Sequence, residues 1–578
     1  MPRWLPAIAL GVSLLGAPRE APSAGGPSAS LTVGVVGDPG SLDPFTYTTP
    51  AAADILSATS DGLLRYGPNG WPPRGGRYAW RPDLLAAMPT LHVSGPPGKG
   101  AVVTIAYRLR MGLRWSDGRR ITSRDIRFTW REVMRQHGAY RSGYDQITRV
   151  DTPTPLTAVV HLRGTYAAWQ TLFSFLLPCH PLQPREPGKD RPHHPLPVSS
   201  GPFAVVQSRA GRVVLRANPH YSGQDGPRPR VARIVVRSYR SPERLRAALR
   251  SREVSVADGL QLQAGELRAL RKAGFGIASA PSPALSQFTF NLSDPFAQDE
   301  QVRRAFLLAL DRRGMSRRLF DGRAAVVDSD QPPYSWAFSA GGPPQRQNVA
   351  LARRILRQDG WQRGPGGDFE KDGRTLSLLV ASPRSALGRQ ILRAATAQEA
   401  KAGIRLVPTY LPLAALFGPG GDLACGRYQV ALFTLYGAVD ADDAPTFNSE
   451  VGNRAAQGSD FSGYQNAAVN RWTADAQARM SLAARTKDYR QVQVALRRDL
   501  PMVPLFFLPV ETAFNPRAVQ GVAVQSFGGS LWSANRWQAT SVAHVAPALR
   551  PEASRGDARR VSPLLSQHCR AGAGTQVE

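Results

Sequence analysis

Residues 103–130 constrain the fold of this chain more than any other stretch. Residues 103–107 alternate between apolar and polar side chains with the period of two that is typical of a half-buried β-strand. Ser116–Gly118 supplies a turn, and a short return strand is expected to end at Ile121. The apolar side chains that follow share one helical face: Ile126, Trp130 and Val133. The run therefore predicts a β-hairpin that leads directly into an amphipathic α-helix.

The start of that helix carries capping residues. The Thr122 hydroxyl can accept a backbone N–H two or three residues later, and Asp125 puts a carboxylate in the first turn, where it suits the helix dipole. Four further segments have clear periodicity. They predict a buried strand over 31–36, a strand over 231–236, and helices over 242–251 and 349–358.

Composition and charge narrow the class of protein. The chain is 42% hydrophobic and has no apolar run long enough to span a bilayer, which indicates a globular protein with no membrane span in its mature form. The formal net charge is +29, but the basic residues are almost all arginines spread along the chain. We therefore favour solvated basic surfaces over a nucleic-acid interface, and we expect no nucleic-acid partner.

Both ends of the chain have the composition of segments that do not belong to a folded domain. Residues 1–24 have a basic start, a short apolar stretch and small residues at 21–24, which predicts a secretory signal peptide and a periplasmic or other extracytoplasmic location. Residues 543–578 are rich in Pro, Arg, Ser and Gly and predict a disordered tail. The Pro-rich stretch 181–197 predicts a surface loop. Three widely spaced cysteines fit neither a disulfide framework nor a metal cluster.

The hairpin-helix run resembles a characteristic block of the extracellular solute-binding proteins of family 5, the peptide- and nickel-type receptors of ABC importers. The matching residues are Leu113–Gly118 (LRWSDG), Ile121–Thr122 and Asp125–Trp130 (DIRFTW). Other segments resemble family motifs in the family's order along the chain: 40–44, 81–86, 200–205, 218–223, 290–291, 302–312, 350–361, 463–466 and 499–505. A long ordered series is far more specific than any one short motif.

The resemblance implies an α/β fold of the type II periplasmic-binding-protein kind, a two-lobed clamp with an extra subdomain on the first lobe. Lobe I is expected over 31–286 and 512–542, with the subdomain inserted at about 60–198, and lobe II over 287–511. The chain would cross between the lobes twice, and a solute would lie in the cleft. In such receptors an extended peptide adds main-chain hydrogen bonds to exposed strand edges.

The same resemblance implies ligand-binding residues. The family's first-lobe backbone edge falls on Thr48 and Thr49, and its cleft tyrosine matches Tyr144. On the second lobe a strand, an aromatic residue and an aspartate that pairs with the peptide amino group match 430–440, with Tyr436, Gly437 and Asp440. Here the aspartate comes one residue later than in the family, so a one-residue bulge would be needed to restore its contact. A solvated turn containing Asp440 and its neighbouring aspartates is the alternative.

Catalytic and metal-binding patterns are missing from the sequence. It contains no nucleophile elbow, no phosphate loop and no His-Glu-x-x-His, so we expect neither an enzyme nor a resident cofactor or metal. The expected partners are a peptide or other small solute and the permease and ATPase subunits of an importer, with the receptor itself a monomer. A receptor for a metal chelate, sugar or opine is the alternative. A solute-binding module of a transcription regulator is disfavoured, because the residues before 31 are too few for a helix-turn-helix domain.

Overall fold

The computed structural model describes residues 29–68, 76–95, 100–135, 141–180, 198–223, 226–418, 420–452 and 459–540. The predicted signal peptide, the predicted loop over 181–197 and the predicted tail lie outside these residues. No helix in the described ranges is long and apolar enough to cross a membrane.

The described chain contains both strands and helices throughout. The strands are β1 Ala29–Val36, β2 Leu64–Gly67, β3 Ala79–Pro82, β4 Thr90–Ser94, β5 Val102–Arg108, β6 Ile147–Thr154, β7 Thr157–Arg163, β8 Phe203–Arg209, β9 Arg212–Ala217, β10 Val231–Tyr239, β11 Val256–Leu260, β12 Gly276–Phe290, β13 Gln362–Arg363, β14 Phe369–Lys371, β15 Arg374–Thr375, β16 Ser377–Pro383, β17 Arg405–Leu411, β18 Val430–Tyr436, β19 Met502–Phe514, β20 Val519–Gln520 and β21 Gln538–Ala539. The α-helices are α1 Pro50–Thr59, α2 Ser123–Arg135, α3 Pro242–Arg250, α4 Ala264–Lys272, α5 Pro295–Gln298, α6 Glu300–Ala309, α7 Arg312–Phe320, α8 Val349–Gln358, α9 Ala386–Ala402, α10 Leu413–Phe417, α11 Asp422–Cys425, α12 Ala444–Phe447, α13 Ala467–Ala478 and α14 Leu482–Asp499.

A mixed ten-stranded sheet runs through the whole molecule in the order β17-β16-β18-β12-β19-β11-β1-β10-β9-β8. Its two longest strands, β12 and β19, pair with each other in the middle and belong to both halves. Their ladder shifts register between Pro281 and Leu285 and again between Ser286 and Gln287. The predicted lobe boundaries near 286 and 512 fall in or beside these two strands, and the exact division there stays a prediction.

Each half of the sheet has its own hydrophobic core. On one side, Val33, Phe203 and Trp537 are buried together with residues of β1, β8, β10 and α1. On the other side, Phe288, Phe306 and residues of β16, β18, α6, α8 and α9 form the largest core cluster. Separate cores let the two halves move as bodies while the shared strands flex between them.

A third core belongs to the predicted subdomain. The four-stranded sheet β4-β5-β7-β6 packs against α2, and Tyr107, Trp115 and Phe173 lie fully buried between them. The predicted strand and helix are confirmed as β5 and α2. The predicted hairpin is wrong in its pairing: β5 pairs with β4 and β7, and the turn at 116–118 is closed only by a single bridge between Arg114 and Arg120. This subdomain contributes one wall of the region described next.

The start of α2 differs in detail from the sequence expectation. The Asp125 carboxylate accepts hydrogen bonds from the Thr122 backbone N–H at 2.7 Å and from the Thr122 hydroxyl at 3.2 Å. Its other oxygen accepts from the Cys179 N–H at 2.8 Å. Asp125 therefore ties the helix start to a distant loop, and the Thr122 hydroxyl donates to this buried carboxylate, a charge-assisted hydrogen bond.

Candidate functional site

The two lobes meet at a cluster of buried and partly buried aromatic rings, called here the inter-lobe aromatic cluster. Its members are Tyr66, Tyr78, Trp80, Phe527, Tyr334, Trp336 and Tyr489. The first four come from the first-lobe side and the last three from the second. Tyr78 and Tyr334 have ring centroids 4.6 Å apart, and the Tyr78 backbone N–H donates to the Tyr334 carbonyl at 2.8 Å. Burial of rings that each lobe supplies indicates a closed arrangement of the lobes.

Asp440 lies at the edge of this cluster and is paired with Arg485. The two guanidinium nitrogens of Arg485 donate to the two carboxylate oxygens of Asp440 at 3.0 and 2.7 Å. Asp440 is 7% exposed, and burial raises the pKa of its carboxyl above the ordinary value while the arginine charge opposes that shift. The bidentate geometry is the strong form of this interaction. Asp440 is thus not a solvated turn residue.

Arg485 also connects the two lobes. It donates to the Ala441 carbonyl at 3.0 Å on its own lobe and to the Ala167 carbonyl of the subdomain at 3.0 Å. Its guanidinium carbon lies 4.7 Å from the centroid of the Trp336 ring, a cation–π contact. A second bond between the sides runs from the Trp169 indole N–H to the Met480 carbonyl at 3.3 Å. The predicted anchor residue therefore lies in the part of the molecule where the lobes touch.

Two acidic side chains, Asp330 and Asp443, form a pair next to Asp440. The Gln331 amide nitrogen donates to Asp330 at 2.9 Å and to Asp443 at 2.8 Å, which holds the two carboxyls side by side. Burial first, and then the charge of Asp330, raises the pKa of Asp443 well above its ordinary value. Two carboxyls in such a position favour sharing one proton. Asp442, between Asp440 and Asp443, is exposed.

Tyr436 and Gly437 lie at the open end of β18. Tyr436 is 67% exposed, although it is a large aromatic side chain at the end of an otherwise buried strand. The Gly437 N–H donates to the Pro283 carbonyl at 3.0 Å and so extends the β12 ladder by one more bond. A single exposed aromatic side chain is common on protein surfaces, so the exposure of Tyr436 does not by itself mark a binding site.

The predicted ligand-binding residues of the first lobe, Thr48 and Thr49, lie at the start of α1. Thr49 caps α1: its hydroxyl accepts from the Ala52 N–H at 3.1 Å and donates to the Pro39 carbonyl at 2.7 Å. Thr48 beside it is exposed. Neither lies on a strand, so a backbone edge at these residues would have to be an irregular one.

Tyr144 packs in the subdomain core. It is 6% exposed, and its hydroxyl accepts from the Phe173 N–H at 2.7 Å. Phe173 has the positive φ of 56°, so this bond stabilises a strained backbone. Within the described residues, no hydrogen bond or ring contact joins Tyr144, Thr48 or Thr49 to the 436–440 segment. Tyr436, Gly437 and Asp440 lie within five residues of the chain, and the described contacts do not join the first-lobe residues to them.

The aromatic cluster and Arg485 were missed by sequence reasoning. For Arg485 a signal existed, because Tyr489, Val492 and Leu496 continue its helical face as an apolar stripe. An arginine within such a stripe is rarely buried unless paired, so it indicates an internal ion pair. Tyr66, Tyr78 and Trp80 come from a hairpin whose packing partner is more than 250 residues away in the chain, and no local pattern identifies such a partner.

The comparisons with known proteins decide the family. The profile of the bacterial extracellular solute-binding proteins, family 5 middle region, matches residues 103–458, which is more than half of the chain. The chain belongs to this family. It is a family of solute-binding proteins rather than of enzymes, and its members are extracellular. The family resemblance predicted from the 113–130 block is confirmed.

Individual relatives agree. The chain is 28% identical over 420 residues to Protein XP55 of Streptomyces lividans, covering 69% of this chain and 70% of that protein. It is 27% identical over 311 residues to an ABC transporter peptide-binding protein of Brucella ovis, covering 51% of this chain and 55% of that protein, so it spans about half of that relative. Both relatives are less than 30% identical to this chain.

A solved structure confirms the fold class. NikZ from Campylobacter jejuni, in complex with Ni(L-His), is similar over 88% of this chain and 99% of its own, with 20% identity and a TM-score of 0.64. At that identity the likeness concerns the fold alone. The family 5 chain described here is therefore a two-lobed binding protein with mixed α/β lobes and a large mixed sheet, as predicted.

Proposed function

We propose that this chain is the receptor of an ABC importer that captures peptides between its lobes and delivers them to a membrane permease and its ATPase. The observation that carries the proposal is the inter-lobe region itself, where an exposed strand-end aromatic residue, Tyr436, lies a few residues from the Asp440–Arg485 pair and the buried aromatic cluster. The peptide-binding name of the Brucella ovis relative supports peptide as the solute.

The proposal also covers the cellular location of the protein and the division of its chain into two lobes. The 1–24 segment is a signal peptide that directs the receptor out of the cytoplasm, where it works as a monomer without a cofactor or a catalytic role. Lobe I takes 31–286 and 512–542, and lobe II takes 287–511. N-terminal sequencing of the secreted protein tests the first point: a mature chain that still begins at Met1 contradicts it.

Within the cleft we propose that Tyr436 and the Gly437 backbone contact the ligand from lobe II and that Asp440 anchors the peptide amino group. Thr48 and Thr49 are the proposed first-lobe edge, and Tyr144 is the proposed cleft tyrosine. An ammonium that approaches Asp440 competes with Arg485 for the same two oxygens. Anchoring therefore requires that binding of the peptide shifts the arginine.

The test is calorimetry with a short peptide and its N-acetylated form, on wild type, Asp440→Asn and Arg485→Gln. If Asp440 is the anchor, Asp440→Asn weakens binding of the free-amino peptide at least about tenfold, and the N-acetylated peptide, already weak, loses little more. Arg485→Gln frees the carboxylate and should then preserve or improve binding of the free-amino peptide. Equal affinity of wild type and Asp440→Asn for that peptide contradicts the anchor role.

The alternative use of the pair is to hold the lobes closed. In that case both variants weaken binding of both peptides to a similar extent. Arg485→Gln removes the guanidinium that donates to the Ala167 carbonyl, and Asp440→Asn removes the carboxylate that orients that guanidinium. Asp442→Asn is the matched control: it removes one nearby negative charge from an exposed side chain and should leave binding unchanged at moderate salt. Native mass spectrometry of the secreted protein would identify a co-purifying solute directly, and a bound metal chelate there would contradict peptide capture.

A further inference from the structure

Five arginines lie together on one face at the edge of the main sheet, and we call them the arginine face. They occupy β8, β9 and β10, the last three strands on the first-lobe side: Arg209, Arg212, Arg216, Arg233 and Arg237. Arg209, Arg216 and Arg233 are exposed, and the other two are partly so. No other described strand pairs beyond β8, so the face reaches the rim of the molecule.

The strand register sets these charges directly opposite one another. Arg212 pairs with Arg209 on one side and with Arg237 on the other, and Arg216 pairs with Arg233. Residues that are direct partners in antiparallel strands project from the same face of a sheet. Along a strand, Arg212 and Arg216 are about 13 Å apart at roughly 3.3 Å per residue. The five side chains thus project from one face of the sheet edge, spread over three strands.

Few carboxylates neutralise the positive charges of the arginine face. Glu253 pairs with Arg237 at 3.2 Å, and the Asp38 carboxylate accepts from the N–H of Gly211 in the adjoining turn at 3.0 Å. Among the described residues, no carboxylate forms an ion pair with the other four arginines. Partial burial first, and then Arg233, Arg237 and Arg209, lower the pKa of Arg212.

A purely structural role explains only part of this pattern. Val214 is fully buried beneath the array and Val235 nearly so, and long arginine stems can cover such valines. Glutamate or glutamine at some of the five positions would cover them too and would remove the repulsion. Like charges directly opposite each other destabilise a sheet, so a structural role accounts for the length of the side chains but not for their common sign.

We propose that the arginine face binds the surface of a membrane that contains anionic phospholipids. Guanidinium groups bind phosphate oxygens in a bidentate way, and arginines spread over three strands match a layer of many headgroups better than they match one narrow ligand. Each basic residue near an anionic bilayer strengthens association about fivefold. The inference goes beyond the proposed function, since a receptor can capture a solute without contacting lipid, and the two can fail separately.

The test is co-sedimentation of the mature protein with vesicles of equal parts phosphatidylglycerol and phosphatidylcholine, at several salt concentrations. The variant is Arg212→Gln/Arg216→Gln/Arg233→Gln. Its matched control is Arg313→Gln/Arg317→Gln/Arg318→Gln, which removes the same charge from exposed arginines of α7. We expect the face variant to bind at least about tenfold more weakly than wild type, and the control to lose less than about threefold.

Thermal unfolding checks that the face variant folds, and removal of cross-strand repulsion should leave its melting temperature equal or higher. Equal losses in the two triple variants would mean that net charge alone drives binding and would overturn the proposal. Equal binding of wild type to pure phosphatidylcholine vesicles would overturn it as well. So would binding of wild type to double-stranded DNA with no binding to the anionic vesicles.

Discussion

At the scale of single residues, the buried acids around the inter-lobe cluster are the most informative groups. The sequence singled out Asp440 from its position relative to Tyr436, but it could not supply Arg485, the partner 45 residues later. Nor could it distinguish Asp440 and Asp443, which are buried, from exposed Asp442. Turn propensity treats the three aspartates alike, and only tertiary packing separates them.

Asp443 should make the stability of the protein depend on pH. Burial and Asp330 raise its pKa in the folded state, so folding favours the protonated carboxyl. That stabilising contribution is complete below the pKa of the unfolded chain and is lost as pH rises through the raised folded value. Asp443→Asn keeps the shape and the acceptor for Gln331 but carries no titrating proton.

We therefore expect the free energy of unfolding of Asp443→Asn, relative to wild type, to improve between about pH 5 and about pH 8 in urea titrations. Asp442→Asn, on the exposed neighbour, should show no such trend. A variant whose difference from wild type stays constant over this range, or worsens as pH rises, would show that Asp443 does not carry a raised pKa.

At the scale of elements, helices and strands with a strong period were predictable. The sequence predicted α8 at its observed bounds and α3 to within one residue, because both have an apolar stripe and a cap, Asn348 and Ser241. It did not predict that α1 begins directly after Thr49, since Pro50 and the following alanines lack an amphipathic pattern. The family resemblance implied a ligand-contacting backbone edge at Thr48 and Thr49. In the structure, Thr49 is the N-cap of α1.

Substituting Thr48 and Thr49 one at a time distinguishes the helix-capping role from the ligand-contacting role. Thr49→Ala removes the cap of α1 and the bond to Pro39, so the free energy of unfolding should fall by about 1 kcal/mol. Thr48→Ala, on an exposed residue, should stay within about 0.5 kcal/mol of wild type. Chemical denaturation measures both. If the first-lobe contact uses backbone groups only, both variants keep wild-type affinity for peptide, and a selective loss in Thr48→Ala would instead assign its side chain to the site.

At the scale of the whole molecule, the two-lobed architecture followed from the family motifs, whereas the closed contact between the lobes did not. That contact combines the Tyr78–Tyr334 bond, the Trp169–Met480 bond and the bridge from Arg485 to Ala167. Each joins residues hundreds of positions apart, and aromatic residues on such surfaces have no sequence period. The shared strands β12 and β19 are the natural place for a hinge, because they are the elements common to both halves of the sheet.

Loss of the Arg485 bridge should shift the unliganded protein towards an open form. Because Arg485→Met alone would leave Asp440 buried and unpaired, the variant to use is Asp440→Leu/Arg485→Met, which removes both charges and retains apolar volume. We expect a larger radius of gyration in small-angle scattering and a red-shifted tryptophan emission as Trp80 and Trp336 become hydrated. Arg427→Met, on the exposed arginine that pairs with Asp422 at 3.0 Å, is the matched control and should stay compact. A double variant that remains folded with the radius and emission of wild type would show that the bridge does not hold the lobes together.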